Sequence, residues 1–163
     1  MPQIFVTADT HFGHNKIALA RGFNSVEEHD QALIDRWNSI VRKKDSVWHL
    51  GDVAFSSSKL ALLARLNGTK FLVAGNHDQY PTLKYLEHFN RVVGCKELNG
   101  FVASHIPVAD TQFHRYKGNI HGHMHDRSMS DDRYYCVSVE QHDLAPVSLE
   151  QVLQGFRNRG ISV

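Results

Sequence analysis

The chain has 163 residues, of which 42% are hydrophobic and 21% are charged, and its formal net charge is +1. These values are typical of one globular domain, exclude a disordered chain, and give no net field that would attract nucleic acid or a membrane. No apolar run resembles a membrane segment or a signal peptide, so we expect a single domain over residues 1–163 in the cytoplasm.

Two residue types in the composition bear on chemistry. Cys95 and Cys136 are the only cysteines and form no CxxC pair, so neither a disulfide framework nor a thiolate zinc site is indicated. The 12 histidines are the outlier of the composition, and imidazole is the commonest side-chain metal ligand. The composition therefore favours a metal before any motif is considered.

The first half of the chain alternates strands with helices, which is typical of a layered α/β domain. Short β-branched and aromatic runs predict the strands, and each run ends at a polar motif. A capping box at residues 25–28 predicts the start of a helix with one apolar face. The predicted strands are residues 3–8, 46–50 and 71–74, further helices are predicted at 59–66 and 82–88, and the apolar face comprises Leu33, Trp37, Ile40 and Val41.

The second half has shorter extended segments. Asn99-Gly100 between two apolar runs is a strong signal for a β-hairpin. Strands are predicted at 119–121 and 133–139, and a capping box at residues 148–151 predicts a C-terminal helix. The irregular stretch 106–118 is long for a loop in a compact domain, which is typical of a functional segment.

The motif Gly75-Asn76-His77-Asp78 directly follows a predicted strand and is typical of a catalytic loop. An Asn amide oxygen can ligate a metal, and a neighbouring His can donate a proton to a leaving group. An Asp beside that His can fix the tautomer of its imidazole. Further polar motifs follow the other strands, and such motifs collect at one edge of layered sheets.

Alternation along an extended segment predicts how two of these motifs present their side chains, because residues two apart share a face. In Gly122-His123-Met124-His125, both imidazoles then point the same way and Met124 faces the core. The same parity brings Asp9 and His11 into one pocket.

Seven candidate ligands offer oxygen and nitrogen atoms, which are too many for one tetrahedral ion and suggest two. A set without thiolates suits Mn²⁺, Fe, Zn²⁺, Co²⁺ or Ni²⁺ better than Ca²⁺, with Mn²⁺ as the first candidate. Two ions about 3.5–4 Å apart stabilise both the entering and the departing charge at a phosphate, so phosphoester hydrolysis is the matching chemistry. The candidates are Asp9, His11, Asp52, Asn76, His105, His123 and His125.

The ordered motifs resemble those of the calcineurin-like metallophosphoesterase superfamily, in particular its short, single-domain members. The resemblance covers residues 9–125 and implies a four-layer αββα sandwich, in which two mixed β-sheets are flanked by helices. It implies catalysis by His77, oriented by Asp78, with in-line attack of a hydroxide that bridges the metals. It also implies one metal held by Asp9, His11, Asp52 and His125, and a second held by Asp52, Asn76, His105 and His123.

Three residues are candidates for substrate binding. Many members of the superfamily carry an Asp three residues after the bridging Asp52, where this chain has Phe55, so Phe55 can instead touch substrate. His14 can bind a substrate phosphate or cap a helix that begins near residue 15. Arg115 can contact a phosphate or a base, or it can be an ordinary solvated loop charge.

Three classes of function stay open. The first is an enzyme that hydrolyses a small phosphodiester or phosphomonoester, such as a cyclic nucleotide or an aryl phosphate. The second is a nuclease or nucleic-acid end-processing phosphatase, motivated by basic residues at 115–117 and 157–159, although the net charge of +1 argues against it. The third is a non-catalytic scaffold, which we rank last because every ligand position is filled.

Overall fold

The computed structural model describes residues 1–163 and contains two β-sheets with four α-helices. The strands are β1 (Ile4–Thr7), β2 (Ser46–His49), β3 (Thr69–Val73), β4 (Val92–Val93), β5 (Lys96–Leu98), β6 (Phe101–Ser104), β7 (Asn119–His121), β8 (Tyr134–Cys136) and β9 (Val147–Ser148). The α-helices are α1 (Asn15–Ala20), α2 (Val26–Ile40), α3 (Thr82–Leu86) and α4 (Leu149–Asn158), and 3₁₀ helices span Ser57–Arg65, Asp110–His114 and Val139–His142.

Both sheets are mixed. In the first, the order is β4-β3-β2-β1-β9, where β9 alone runs antiparallel to its neighbour. In the second, the order is β5-β6-β7-β8, with an antiparallel hairpin followed by parallel pairs. A further bridge joins Ala8 to Ser138, so the carboxyl end of β1 lies beside the chain that leaves β8. The carboxyl ends of the parallel strands in both sheets therefore face a common region.

The core consists of two apolar clusters on opposite faces of the first sheet. Phe5 belongs to the cluster that α2, α3 and the 3₁₀ helix Ser57–Arg65 cover, whereas its neighbour Val6 belongs to the cluster shared with the second sheet. This division follows the alternation of side chains along a strand. Helix α4 adds Phe156 to the second cluster, where its ring stacks on Phe101 with centroids 4.2 Å apart.

The predicted arrangement of two mixed sheets flanked by helices is confirmed, and the outermost layer over the second sheet is thin. That layer is the stretch 106–118, which contains only one short 3₁₀ helix. Tyr134 of β8 donates a hydrogen bond to the carbonyl of Val108, at 2.7 Å, and its ring lies 5.1 Å from that of Phe113. The long loop predicted from the sequence is therefore packed on the sheet as a structural cover.

The predicted elements are confirmed with three corrections. Ile40 is wrong as a core residue, because it is the last residue of α2 and is 44% exposed, whereas Val41, also predicted on this face, is buried although the chain is already extended there. The predicted helix at 59–66 is a 3₁₀ helix that begins at Ser57. The first capping box is half formed, since the Glu28 carboxylate accepts from the backbone N–H of Asn24 instead of Ser25.

The hairpin and the C-terminal helix form as expected. Asn99 and Gly100 both take positive φ values, 53° and 87°, as the tight turn between β5 and β6 requires. The Ser148 hydroxyl and the Gln151 side chain make both hydrogen bonds of the capping box. None of the helices has the length and apolar character that crossing a membrane would need.

Candidate metal centre

All seven candidate ligands lie where the carboxyl ends of the parallel strands meet. Six of them form two groups of three, within each of which the ligand atoms lie within 4.8 Å of one another. The Asn76 amide oxygen lies 2.9 Å from Nε2 of His105, which places it with the second group. The first group is Asp9, His11 and His125, and the second is Asp52, His105 and His123.

One carboxylate oxygen lies between the two groups. Oδ2 of Asp52 is 3.6 Å from Nε2 of His11 and 3.4 Å from Nε2 of His105. The other oxygen, Oδ1, accepts a hydrogen bond from the backbone N–H of His77 at 2.9 Å. Asp52 therefore presents a single oxygen to both groups, as a shared ligand would.

The hydrogen bonds of the second group leave acceptor atoms facing one another. Nδ1 of His105 lies 2.7 Å from the carbonyl oxygen of Leu50, so this nitrogen carries the proton and donates it. Nε2 of the neutral ring then has a lone pair, and it faces the oxygen of Asn76 and, at 3.3 Å, Nδ1 of His123. Two acceptors that face each other, Nε2 of His105 and the Asn76 oxygen, repel one another unless a cation lies beside them, which fits a metal ligand set.

In the first group, two buried atoms without hydrogen-bond partners also favour a bound cation. Oδ1 of Asp9 and Nε2 of His11 are buried and have no hydrogen-bond partner within the protein. Buried polar atoms are rarely left unpaired, because desolvation costs about 1–3 kcal/mol per group. A cation beside these two atoms would satisfy both, so the residues present fit a divalent metal.

Electrostatics differ among the imidazoles of the centre, because burial favours the neutral form of His11, whereas neighbouring carboxylates, acting against burial, raise the pKa of His105 and of His125. Burial lowers the pKa of His11 to about 3, which keeps its ring neutral. Burial also raises the pKa of Asp9, so the ionised form of this carboxyl needs a nearby cation. For Asp52, burial is outweighed by the hydrogen bond and charge of His105, and the pKa falls to about 2.

Five of the seven candidate ligands have a left-handed backbone, with φ between 47° and 68°. Such values are uncommon for residues other than glycine and concentrate at functional sites. Residues 122–125 are therefore not extended, so the condition under which His123 and His125 would share a face by alternation is not met, and Met124 is half-buried instead of core-facing. The parity argument fails for Asp9 and His11 for the same reason, since tight turns aim their side chains. The five are Asp9, His11, Asp52, His123 and His125.

In the loop after β3, His77 and Asp78 have different surroundings. The imidazole of His77 is exposed, and its centroid is 5.8 Å from that of His11. The Asp78 carboxylate accepts hydrogen bonds from three backbone N–H groups, those of Asp52 and Gly75 at 2.8 Å and that of Val53 at 3.0 Å. The predicted pairing of Asp78 with the His77 ring is wrong, because the carboxylate points back and joins two loops.

Two glycines permit this close approach of the loops. Gly51 has φ of 94°, and a Cβ atom there would lie 2.5 Å from the backbone nitrogen of Gly75. A Cβ on Gly75 would in turn collide with the Asp52 side chain. Gly75 belongs to the motif Gly75-Asn76-His77-Asp78, and the close approach of the two loops gives a steric reason for both glycines.

His14 and Phe55 lie side by side near the first group of ligands. Nδ1 of His14 accepts from the backbone N–H of Ile17 at 3.4 Å, so His14 does cap α1. Its ring also lies 5.7 Å from that of His11 and 4.4 Å from that of Phe55. Phe55 is 62% exposed, which leaves an aromatic surface open to solvent beside the centre.

The structure does not bring Arg115 to the centre. Two residues further on, the N–H of Lys117 bonds to the carbonyl of Gly100, at the amino end of β6. β6 has four residues and His105 follows its carboxyl end, so the two ends are about 13 Å apart. The Arg115 guanidinium lies over the ring of Tyr116 instead, 5.7 Å from its centroid. Arg115 forms no hydrogen bond or ion pair with a candidate ligand, and its role as a substrate contact stays a prediction.

Three residues that the sequence analysis does not single out as site residues contact the first group. Ser138 donates its hydroxyl hydrogen to Oδ2 of Asp9 at 2.6 Å, and His125 donates from Nδ1 to Glu140 at 2.7 Å. Arg21 donates to Glu140 and to the carbonyl oxygen of Asp9. A signal was available for Ser138 and Glu140, because the strand predicted at 133–139 ends here just as the other strands end at motifs.

Comparison with known proteins gives a consistent picture. A family model described as calcineurin-like phosphoesterase matches residues 2–154. An uncharacterized protein of Methanocaldococcus jannaschii is 36% identical over 169 residues, which span 94% of this chain and 91% of that protein. The gene 66 protein of Mycobacterium phage D29 is 27% identical and covers 90% of this chain and 93% of its own length.

A solved structure with a similar fold comes from Aquifex aeolicus and is described as a protein of unknown function. Its TM-score is 0.75 at 22% identity, and the match covers 94% of this chain and 99% of that one. At this identity the likeness concerns the fold alone, and it extends over nearly all of both chains.

Proposed function

Because this chain belongs to the calcineurin-like phosphoesterase family, we propose that it hydrolyses a small phosphodiester or phosphomonoester with two divalent metal ions. The observation that carries the proposal is the position of the Asp52 carboxylate. One of its oxygens, Oδ2, lies within 3.6 Å of a histidine nitrogen in each group. A shared carboxylate between two ligand sets is suited to a pair of ions and is not needed for one.

The ligand sets follow from the two groups. In the sets that we propose, Asp52 is a ligand of both ions. Bound ions would polarise the phosphoryl group and lower the pKa of a water molecule for in-line attack. Mn²⁺ is our first candidate, because the donors are imidazoles, carboxylates and an amide without any thiolate. The first set is Asp9, His11, Asp52 and His125, and the second is Asp52, Asn76, His105 and His123.

His77 is the proposed proton donor to the leaving oxygen. Its ring is exposed beside His11 and belongs to neither ligand group, so it is free to contact a phosphate held at the centre. Its backbone N–H is bonded to Asp52, which ties the position of the loop to the shared ligand.

The substrate we propose carries a planar aromatic group next to the phosphate, as a cyclic nucleotide or an aryl phosphate does. The exposed face of Phe55, supported by His14, lies within reach of a group attached to a phosphate at the first metal site. Stacking on such a surface does not depend on a particular base or ring. Of the basic residues that motivate a nuclease, Arg159 donates to the carbonyl oxygen of Tyr134 and Arg115 lies over the ring of Tyr116, and neither forms a hydrogen bond or ion pair with a candidate ligand.

The test is hydrolysis of bis-p-nitrophenyl phosphate and p-nitrophenyl phosphate by the full chain. We expect turnover that depends on added Mn²⁺ and is abolished by a chelator. Metal analysis of the same sample should give two ions per chain. Absence of metal-dependent turnover on any phosphoester, with both ions verified as bound, would end the proposal.

A further inference from the structure

The segment at residues 138–140, which leads from β8 into the 3₁₀ helix Val139–His142, contacts two of the three ligands in the first group. The buried hydroxyl of Ser138 donates to Oδ2 of Asp9 at 2.6 Å. Oε1 of Glu140 accepts from Nδ1 of His125 at 2.7 Å. One short piece of chain thus orients a carboxylate and an imidazole that come from opposite ends of the sequence.

Glu140 is itself held by a buried cation. The guanidinium of Arg21 donates from Nε to Oε1 of Glu140 at 3.0 Å, and its side chain is only 4% exposed. The same guanidinium donates to the carbonyl oxygens of Thr10 at 3.1 Å and Asp9 at 2.6 Å. Arg21 therefore joins Glu140 to the turn that carries the first ligands, where Asp9 has a φ of 60°.

These hydrogen bonds decide which ligand atoms remain available. With the Nδ1 proton of His125 committed to Glu140, the lone pair of that ring is on Nε2. With Oδ2 of Asp9 accepting from Ser138 and from the backbone N–H of His123, the atom without a partner is Oδ1. The segment thereby presents one free atom from each residue to a cation.

In the second group, no acidic residue outside the ligand set contacts the side chain of a ligand, since Asp78 bonds only to backbone N–H groups. His105 is oriented by a backbone carbonyl, that of Leu50, and Asp52 accepts from the backbone N–H of His77. The two groups therefore differ in how their ligands are positioned. A substitution at Glu140 should affect the first group and spare the second.

Within the proposed two-metal function, we propose that Glu140, held by Arg21, is a positioning residue for the first metal site alone. It sets the affinity for the ion bound by Asp9, His11 and His125, and it leaves the affinity of the second site unchanged. Outer partners of this kind, a carboxylate behind a ligating imidazole, typically change metal affinity by about 10–100-fold.

The test is Mn²⁺ binding by the full chain carrying Glu140→Gln. Binding is measured by isothermal titration calorimetry, and the retained metal is measured by metal analysis after gel filtration. We expect one of the two binding steps to weaken by about 10–100-fold, so that the retained metal falls from two ions per chain toward one. Glu150→Gln is the matched control, because Glu150 is an exposed carboxylate on α4 and should retain both ions with unchanged affinity.

Each other outcome has a defined meaning. Two unchanged binding steps in Glu140→Gln, or an equal weakening of both, would overturn the positioning role. If Glu140→Gln does not fold, Glu140→Asp keeps the charge beside Arg21, withdraws the carboxylate from Nδ1 of His125 and should weaken the same single step, and its failure to do so would also overturn the proposal. If the unmodified chain binds no Mn²⁺, the proposed metal-dependent function fails instead, which the titration of that chain shows directly.

Discussion

At the scale of single residues, the role proposed for His77 provides a test that distinguishes catalysis from metal binding. Its exposed ring belongs to neither ligand group, so His77→Ala should keep two ions per chain while kcat falls about 10²–10⁴-fold. Asp52→Ala should behave differently and lose both ions with the activity, because one Asp52 oxygen faces both groups. Metal analysis and steady-state kinetics on the two variants distinguish these effects. Equal loss of metal in both would contradict the role of His77.

Phe55 is the residue by which substrate preference can be tested. Loss of stacking in Phe55→Ala should raise KM for an aryl or nucleotide phosphoester about 10-fold, since base–aromatic stacking contributes about 1–3 kcal/mol. A substrate without a ring, such as methyl phosphate, should show no change in KM. Leu83→Ala is the control, because Leu83 is 76% exposed in α3. An equal rise in KM for both substrates would argue against stacking.

The sequence predicts the ligands far better than the residues that orient them. Asp52 and His105 can be identified as candidate ligands because each follows a strand within a short motif, and the structure brings them together. Glu140 and Arg21 are 119 residues apart and carry no motif, so their contact follows from the fold and not from local pattern. Asp78 is misread for a related reason, since its three partners are backbone groups that a sequence cannot display.

At the scale of elements, Asp78 couples the loop after β2 to the loop after β3. Asp78→Ala leaves three backbone N–H groups without their acceptor, and we expect the free energy of unfolding to fall by about 3 kcal/mol. Metal affinity should fall as well, although Asp78 contacts no metal, because Asp52 and Asn76 lie on the uncoupled loops. Urea denaturation and Mn²⁺ titration measure the two effects.

The control for Asp78 is Glu87→Ala. Glu87 forms an exposed ion pair with Lys84, and such pairs contribute about 0–1 kcal/mol. Full metal affinity in Asp78→Ala, at reduced stability, would show that the loops hold their ligands without this carboxylate.

Strand positions could be predicted from apolar periodicity, and the geometry of the turns after them could not. β1 and β2 end within two residues of their predicted ends, because alternation and β-branched residues mark a buried strand. The left-handed φ values at Asp9 and His123 could not be predicted from the sequence, because Asp and His adopt such values more often than most residues but still only in a small minority of cases. The alternation of side chains along an extended segment therefore gives the wrong side-chain directions at the residues that form the candidate site.

At the scale of the whole molecule, each proposed ion would join the two sheets. In the first group, Asp9 and His11 follow β1 of the first sheet, whereas His125 follows β7 of the second. In the second group, Asp52 follows β2, and His105 and His123 follow β6 and β7. Ligands from both sheets in each group make metal binding and the packing of the sheets interdependent.

Metal binding should therefore stabilise the whole fold, and this can be measured by thermal unfolding of chelator-treated protein. At Mn²⁺ concentrations of 100 times Kd, the gain is about 2.7 kcal/mol per site, or roughly 5–11 °C in Tm. Ca²⁺ is the control ion, because imidazole-rich sites bind it poorly, and it should shift Tm much less.

The rise in Tm that Mn²⁺ binding causes should become smaller as the pH falls. Hydrogen bonding to Glu140 raises the pKa of His125, and the Asp52 carboxylate, acting against burial, raises that of His105. Below the unfolded pKa of about 6.5, the protonated forms of these two rings stabilise the metal-free fold. The same protons exclude the metal ion from the imidazoles. Both effects reduce the rise in Tm that metal binding causes at acid pH. The decline should begin above pH 6.5, where the raised pKa values lie. An increment in Tm that stays constant from pH 8 to pH 5.5 would contradict imidazole ligation of the metal.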